Sequence, residues 1–74
     1  MYRVYLWVNE SSREPDVFCR VFVRDASAAL STVMQDAGLS RAYYAWCVPD
    51  EDALPDVHCY DVRFEEGKVS YVSP

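Results

Sequence analysis

Residues 17–38 read VFCRVFVRDASAALSTVMQDAG, and the hydrophobic period changes in the middle of that stretch. From Val17 to Arg24, Val17, Cys19, Val21 and Val23 fall on one side and Phe18, Arg20, Phe22 and Arg24 on the other, which is the two-residue period of a strand. From Asp25 the spacing becomes helical. Ala26, Ala29, Leu30, Val33, Met34 and Ala37 form one stripe, Asp25 or Ser27 can cap its start, and Gly38 can end it. The stretch predicts a strand followed by a helix of about three turns over 26–37. Its narrow, alanine-rich stripe suits close packing on a sheet.

On the N-terminal side, Tyr2 to Val8 alternates as well, with Tyr2, Val4, Leu6 and Val8 opposite Arg3, Tyr5 and Trp7. The polar segment 9–16, ending Pro15-Asp16, makes a hairpin of this strand and the next. On the C-terminal side, Ala42 to Val48 is aromatic and strand-like until Pro49 stops it. Val57 to Phe64 resumes strand alternation, Glu65-Glu66-Gly67-Lys68 has turn chemistry, and Val69 to Val72 returns as a short final strand. The expectation is an α+β fold in one small domain, 1–74, with element order ββαβββ. An antiparallel sheet carries one helix on one face, over Val4, Leu6, Val8, Val21 and Val23.

Composition narrows the function. The chain has 74 residues, 51% hydrophobic, with only two glycines, so it supports one thin core and leaves no room for a large internal active site. No apolar run approaches the roughly 18 residues of a membrane span, and the N-terminus lacks a signal-peptide layout, so a cytoplasmic location is expected. Three cysteines at wide spacings, Cys19, Cys47 and Cys59, are a poor disulfide framework and read as reduced thiols. The formal net charge is -5, and residues 1–49 sum to zero. The whole excess falls after Pro49, where Asp50, Glu51, Asp52 and Asp56 stand in a loop with Pro49 and Pro55, and Glu65 and Glu66 follow. Such asymmetry points to a basic partner.

Catalytic and metal chemistry find little support. His58 and Cys59 are neighbours on a strand and point to opposite faces, unlike the paired ligands of a zinc site. The acidic loop lacks the central glycine and terminal glutamate of a calcium loop, and no clustered acid/base set is present. The expectation is no catalytic residue, no metal and no cofactor.

Two surfaces remain. The first is the acidic set Asp50, Glu51, Asp52, Asp56, Glu65 and Glu66, with Trp7, Tyr44 and Trp46 as aromatic anchors for a protein partner. The second is the outer side of the first hairpin, where Arg3, Tyr5, Trp7, Phe18, Arg20 and Phe22 interleave aromatic and cationic groups. That face either is covered by the C-terminal segment or a second copy of the chain, or is exposed to bind a partner. Sheets of this kind also stack single-stranded nucleic acid, but the acidic balance and the missing glycine-aromatic motifs disfavour that alternative.

In overall kind, a single compact acidic α/β domain without a catalytic signature, the chain resembles the small phage-encoded anti-CRISPR proteins. The resemblance implies a non-enzymatic inhibitor that binds a Cas subunit of a surveillance complex and blocks DNA engagement, either by occupying its basic, nucleic-acid-binding site or by sterically locking the subunit. It also implies action in the host bacterial cytoplasm. From the residues themselves, no direct nucleic-acid or membrane contact is expected, and the wide cysteine spacing points to a reduced monomer or small homo-oligomer.

Overall fold

A computed structural model describes residues 1–51, Pro55 and 57–73. The elements run β1 (Tyr2–Trp7), β2 (Val17–Val21), α1 (Ala26–Asp36), β3 (Arg41–Pro49), β4 (Val57–Glu65) and β5 (Lys68–Val72). The five strands form one antiparallel sheet ordered β2-β1-β3-β4-β5. The fold is thus α+β, with one helix and an antiparallel sheet. Because β1 is antiparallel to both β2 and β3, those two run parallel to each other, and α1 joins them by crossing over β1.

The helix begins and ends on side-chain and backbone chemistry visible in the sequence. Asp25 sits in extended conformation at the N-cap and its carboxylate accepts from Ala28 N at 2.8 Å. At the other end Gly38 adopts φ +69°, Gly38 N donates to Gln35 O and Leu39 N to Met34 O, the paired bonds of a Schellman ending. Between the caps, Ala26, Ala29, Leu30, Val33 and Met34 are buried and share one core with Tyr2, Val4, Leu6, Val21, Ala42, Ala45, Cys47, Cys59 and Val62. Alanines at the contact let the helix approach, while each large aliphatic side chain contributes roughly 1.5 to 3 kcal/mol on burial.

Three sequence expectations need correction. The second strand stops at Val21, because its partner β1 begins at Tyr2, which pairs with Val21 and leaves Phe22 and Val23 without a neighbour in β1. Strand β3 runs through Pro49, which pairs with Tyr2. Alternation does not persist from Val57 to Phe64. Cys59 and Val62, three apart, are both buried, and Tyr60 and Asp61 between them are both exposed. Asp61 has φ +48°, a left-handed conformation that Asp tolerates, and this kink resets the strand. Strand β3 does the same opposite, burying Ala42 and Ala45 around Tyr43 and Tyr44.

The β4–β5 turn is a two-residue hairpin in which Glu66 (φ +52°) and Gly67 (φ +74°) both adopt the left-handed region. That geometry favours Asn before Gly. Glu66→Asn is therefore expected to raise stability by about 0.5 to 1 kcal/mol in chemical denaturation, with an unchanged dependence on denaturant concentration.

Candidate interaction face

The helix covers one side of the sheet. The other side is built from the residues that alternate away from it. Strand β1 supplies Arg3, Tyr5 and Trp7; β2 supplies Phe18 and Arg20; β3 supplies Tyr44 and Trp46; and β4 supplies His58 and Tyr60. Register sets them side by side, Tyr5 between Phe18 and Trp46, Trp7 beside Tyr44, Trp46 beside His58, and Tyr44 beside Tyr60. Ring centroids lie 4.8 Å apart for Tyr5 and Phe18, 5.3 Å for Trp7 and Trp46, 5.2 Å for Trp7 and Tyr44, and 4.6 Å for Tyr44 and Tyr60. The result is a continuous patch of seven rings across four strands. Strand β5 pairs along the edge of β4, so the C-terminal strand extends the sheet and does not fold over this patch.

Hydrogen bonds fix the centre of the patch. Trp46 Nε1 donates to the Tyr44 hydroxyl oxygen, and that hydroxyl lies 3.0 Å from His58 Nδ1. The Tyr44 oxygen accepts from the indole and keeps its own hydrogen and a second lone pair for the contact with His58, whose direction follows the imidazole tautomer. A hydrogen bond with Tyr44, followed by desolvation, pushes the Tyr60 hydroxyl above its ordinary value. The Tyr60 phenol therefore stays neutral near pH 7, suited to packing and hydrogen bonding.

The acidic set divides in the structure. Asp50 is part of the sheet face and not of a free loop. Its carboxylate binds Arg20 Nη2 at 2.7 Å and lies 3.9 Å from Arg3 Nε, and its backbone N donates to Met1 O. Glu51 follows it and is exposed, while Asp52 and Asp56 lie outside the described residues. Glu65 and Glu66 stand at the far end of β4, whose start pairs beside Cys47 near Asp50, a separation of roughly 25 to 30 Å along nine strand residues. The structure thus brings Trp7, Tyr44 and Trp46 together and keeps Glu65 and Glu66 away from Asp50 and Glu51. The cations on the face, Arg3 and Arg20, share Asp50 as counter-charge, which weakens their pull on phosphates.

Sequence reasoning passed over Tyr43, Tyr60 and Asp61, and weighed His58 only as a metal ligand. The doublets Tyr43-Tyr44 and Tyr60-Asp61, each flanked by small or apolar residues, were the available signal. Beside the ring patch, Tyr43, Tyr60 and Asp61 help to line an open groove of about 630 Å³ together with Val8, Glu10 and Arg41 among others. Among the described residues no group of three or more His, Cys, Asp or Glu side chains could hold a metal ion.

The cysteines belong to the other side. Cys47 and Cys59 are fully buried beneath the helix and Cys19 is half-buried. Burial pushes the Cys59 thiol from 9.0 up to about 11. Iodoacetamide at neutral pH is expected to label Cys19 first and to reach Cys47 and Cys59 only as the protein opens. A raised thiol pKa favours folding through its neutral form, so this contribution is complete below pH 9 and is lost as pH rises towards about 11.

Fold and face together define a class: a small α+β domain with one side of its sheet roofed by a helix and the other left as an aromatic surface. Comparison with known proteins found no matching family model, no similar curated protein and no similar solved structure. No helix among the described residues is long and apolar enough to cross a membrane.

Proposed function

We propose that the chain is a non-enzymatic protein-binding inhibitor that docks through the open aromatic face of its sheet. The observation that carries this reading is the seven-ring patch, which contains both tryptophans of the chain and lacks any covering element among the described residues. Trp, Tyr and Arg are the residues that dominate interface energetics, and rings already packed on one another lose little freedom on binding. The net charge of -5 complements a basic partner, and exposed carboxylates such as Glu51 at the rim speed its approach without anchoring it.

A basic nucleic-acid-binding surface on a Cas subunit is the partner this reading names, with blocked DNA engagement as its consequence in the bacterial cytoplasm. Cells whose CRISPR–Cas immunity restricts a targeted phage provide the test. Expression of the chain should raise phage plating to that of cells lacking the immune system, and Trp46→Ala should abolish the rise. Unchanged plating across the main CRISPR–Cas types would overturn the Cas assignment.

A further inference from the structure

Strand β2 is an edge of the sheet, and its outer side has no neighbour among the described residues. Edge strands are usually protected by charge, proline, a bulge or a covering element. The opposite edge, β5, carries Lys68 and follows a strand whose pairing is interrupted between Tyr60 and Arg63. Strand β2 has none of these guards except Arg20. It pairs with β1 in unbroken register, contains no proline, and leaves Phe18 56% and Phe22 83% exposed. Phe22 lies past the end of β1, so nothing in its own sheet covers it.

The sequence of this edge is nearly a palindrome. About Arg20, Val17 mirrors Val23, Phe18 mirrors Phe22, and Cys19 mirrors Val21. We propose that two copies of the chain pair through β2 in antiparallel fashion, with the two-fold axis at Arg20. In that register, which carries the strand pairing two residues past Val21, each Phe18 stands opposite Phe22 of the second copy, Val17 opposite Val23, and Cys19 opposite Val21. A two-fold interface must be self-complementary, and this symmetry selects a second copy over an unrelated strand. The two Arg20 side chains meet at the axis, and each already holds Asp50 at 2.7 Å, so the axis carries paired charges. The pairing continues the sheet across the axis and sets two ring patches in one surface. A single-strand contact is smaller than the interface of a permanent dimer, so the association is reversible. It is independent of the docking reading, because the ring patch stays open.

Sedimentation velocity of the intact chain between about 1 µM and 1 mM should show a reversible monomer–dimer equilibrium. Phe22→Glu, at a solvent-exposed position, should shift it by at least about tenfold while leaving thermal unfolding unchanged. In a Cys19→Ser background, Arg20→Cys places one thiol on the axis, opposite its own copy at strand-pair distance, and mild oxidation should give a covalent dimer. A monomer at every concentration overturns the proposal. So does a dimer that tolerates Phe22→Glu, or one that Arg20→Cys cannot cross-link. A dimer lost instead with Trp46→Ala would place the contact on the ring patch.

Discussion

Trp46→Ala is expected to weaken partner binding by about 30-fold or more, the effect of removing a residue worth roughly 2 kcal/mol at the centre of an interface. Trp46 stands between Tyr5, Trp7, Tyr44 and His58, with ring centroids 6.2, 5.3, 6.2 and 5.9 Å away. Its truncation opens the middle of the patch and leaves Tyr44 without the indole donor. The side chain is only half-buried and lies outside the helix-covered core, so the folded state should persist. Circular dichroism and thermal unfolding check the fold, and titration of the partner reads the loss. Glu65→Gln with Glu66→Gln, at the far turn, should change affinity by less than about twofold.

Leu30→Ala should cost roughly 2 to 5 kcal/mol of stability through lost transfer energy and the cavity left behind. Leu30 is 1% exposed and shares the core with Val4, Leu6 and Val21, all buried. Val23 is a half-buried flank of that core, whereas Val8, though half-buried, lies outside it and lines the open groove. Because a small domain has only about 5 to 15 kcal/mol in total, the variant should lose a large part of its stability. Urea unfolding measures it. A change under about 0.5 kcal/mol, the range of surface substitutions, would mean that α1 does not press Leu30 onto the sheet.

The helix was legible because its period, its Asp25 cap and its Gly38 stop are all local, and the hairpin of β1 and β2 was legible because alternation continues on both sides of a polar turn. The interior place of β1, between β2 and β3, was not. Pairing between β1 and β3 joins residues about forty positions apart, and periodicity carries no information on which strands become neighbours. The same limit applies to Asp50. Its neighbours in sequence are Pro49 and Glu51, which suggest a free acidic loop, whereas its partners are Arg3 and Arg20 on two other strands. The kink at Asp61 escaped because it needs a left-handed residue where alternation reads as continuous. Trp7, Tyr44 and Trp46 were named from composition, but the reason they converge is the antiparallel register of β1 with β3.

The central claim is that the open ring face is where the partner binds. The chain has two tryptophans, both in that face, so its indole N–H resonances are two reporters of the same surface. Titration of the isotope-labelled chain with the Cas subunit it inhibits should shift or broaden both indole signals, saturating together, with smaller changes at the Glu65 and Glu66 amides. Indole signals that stay fixed through saturation, while the amides around Glu51 or the β4–β5 turn move, would contradict the account and place the contact on the acidic residues instead.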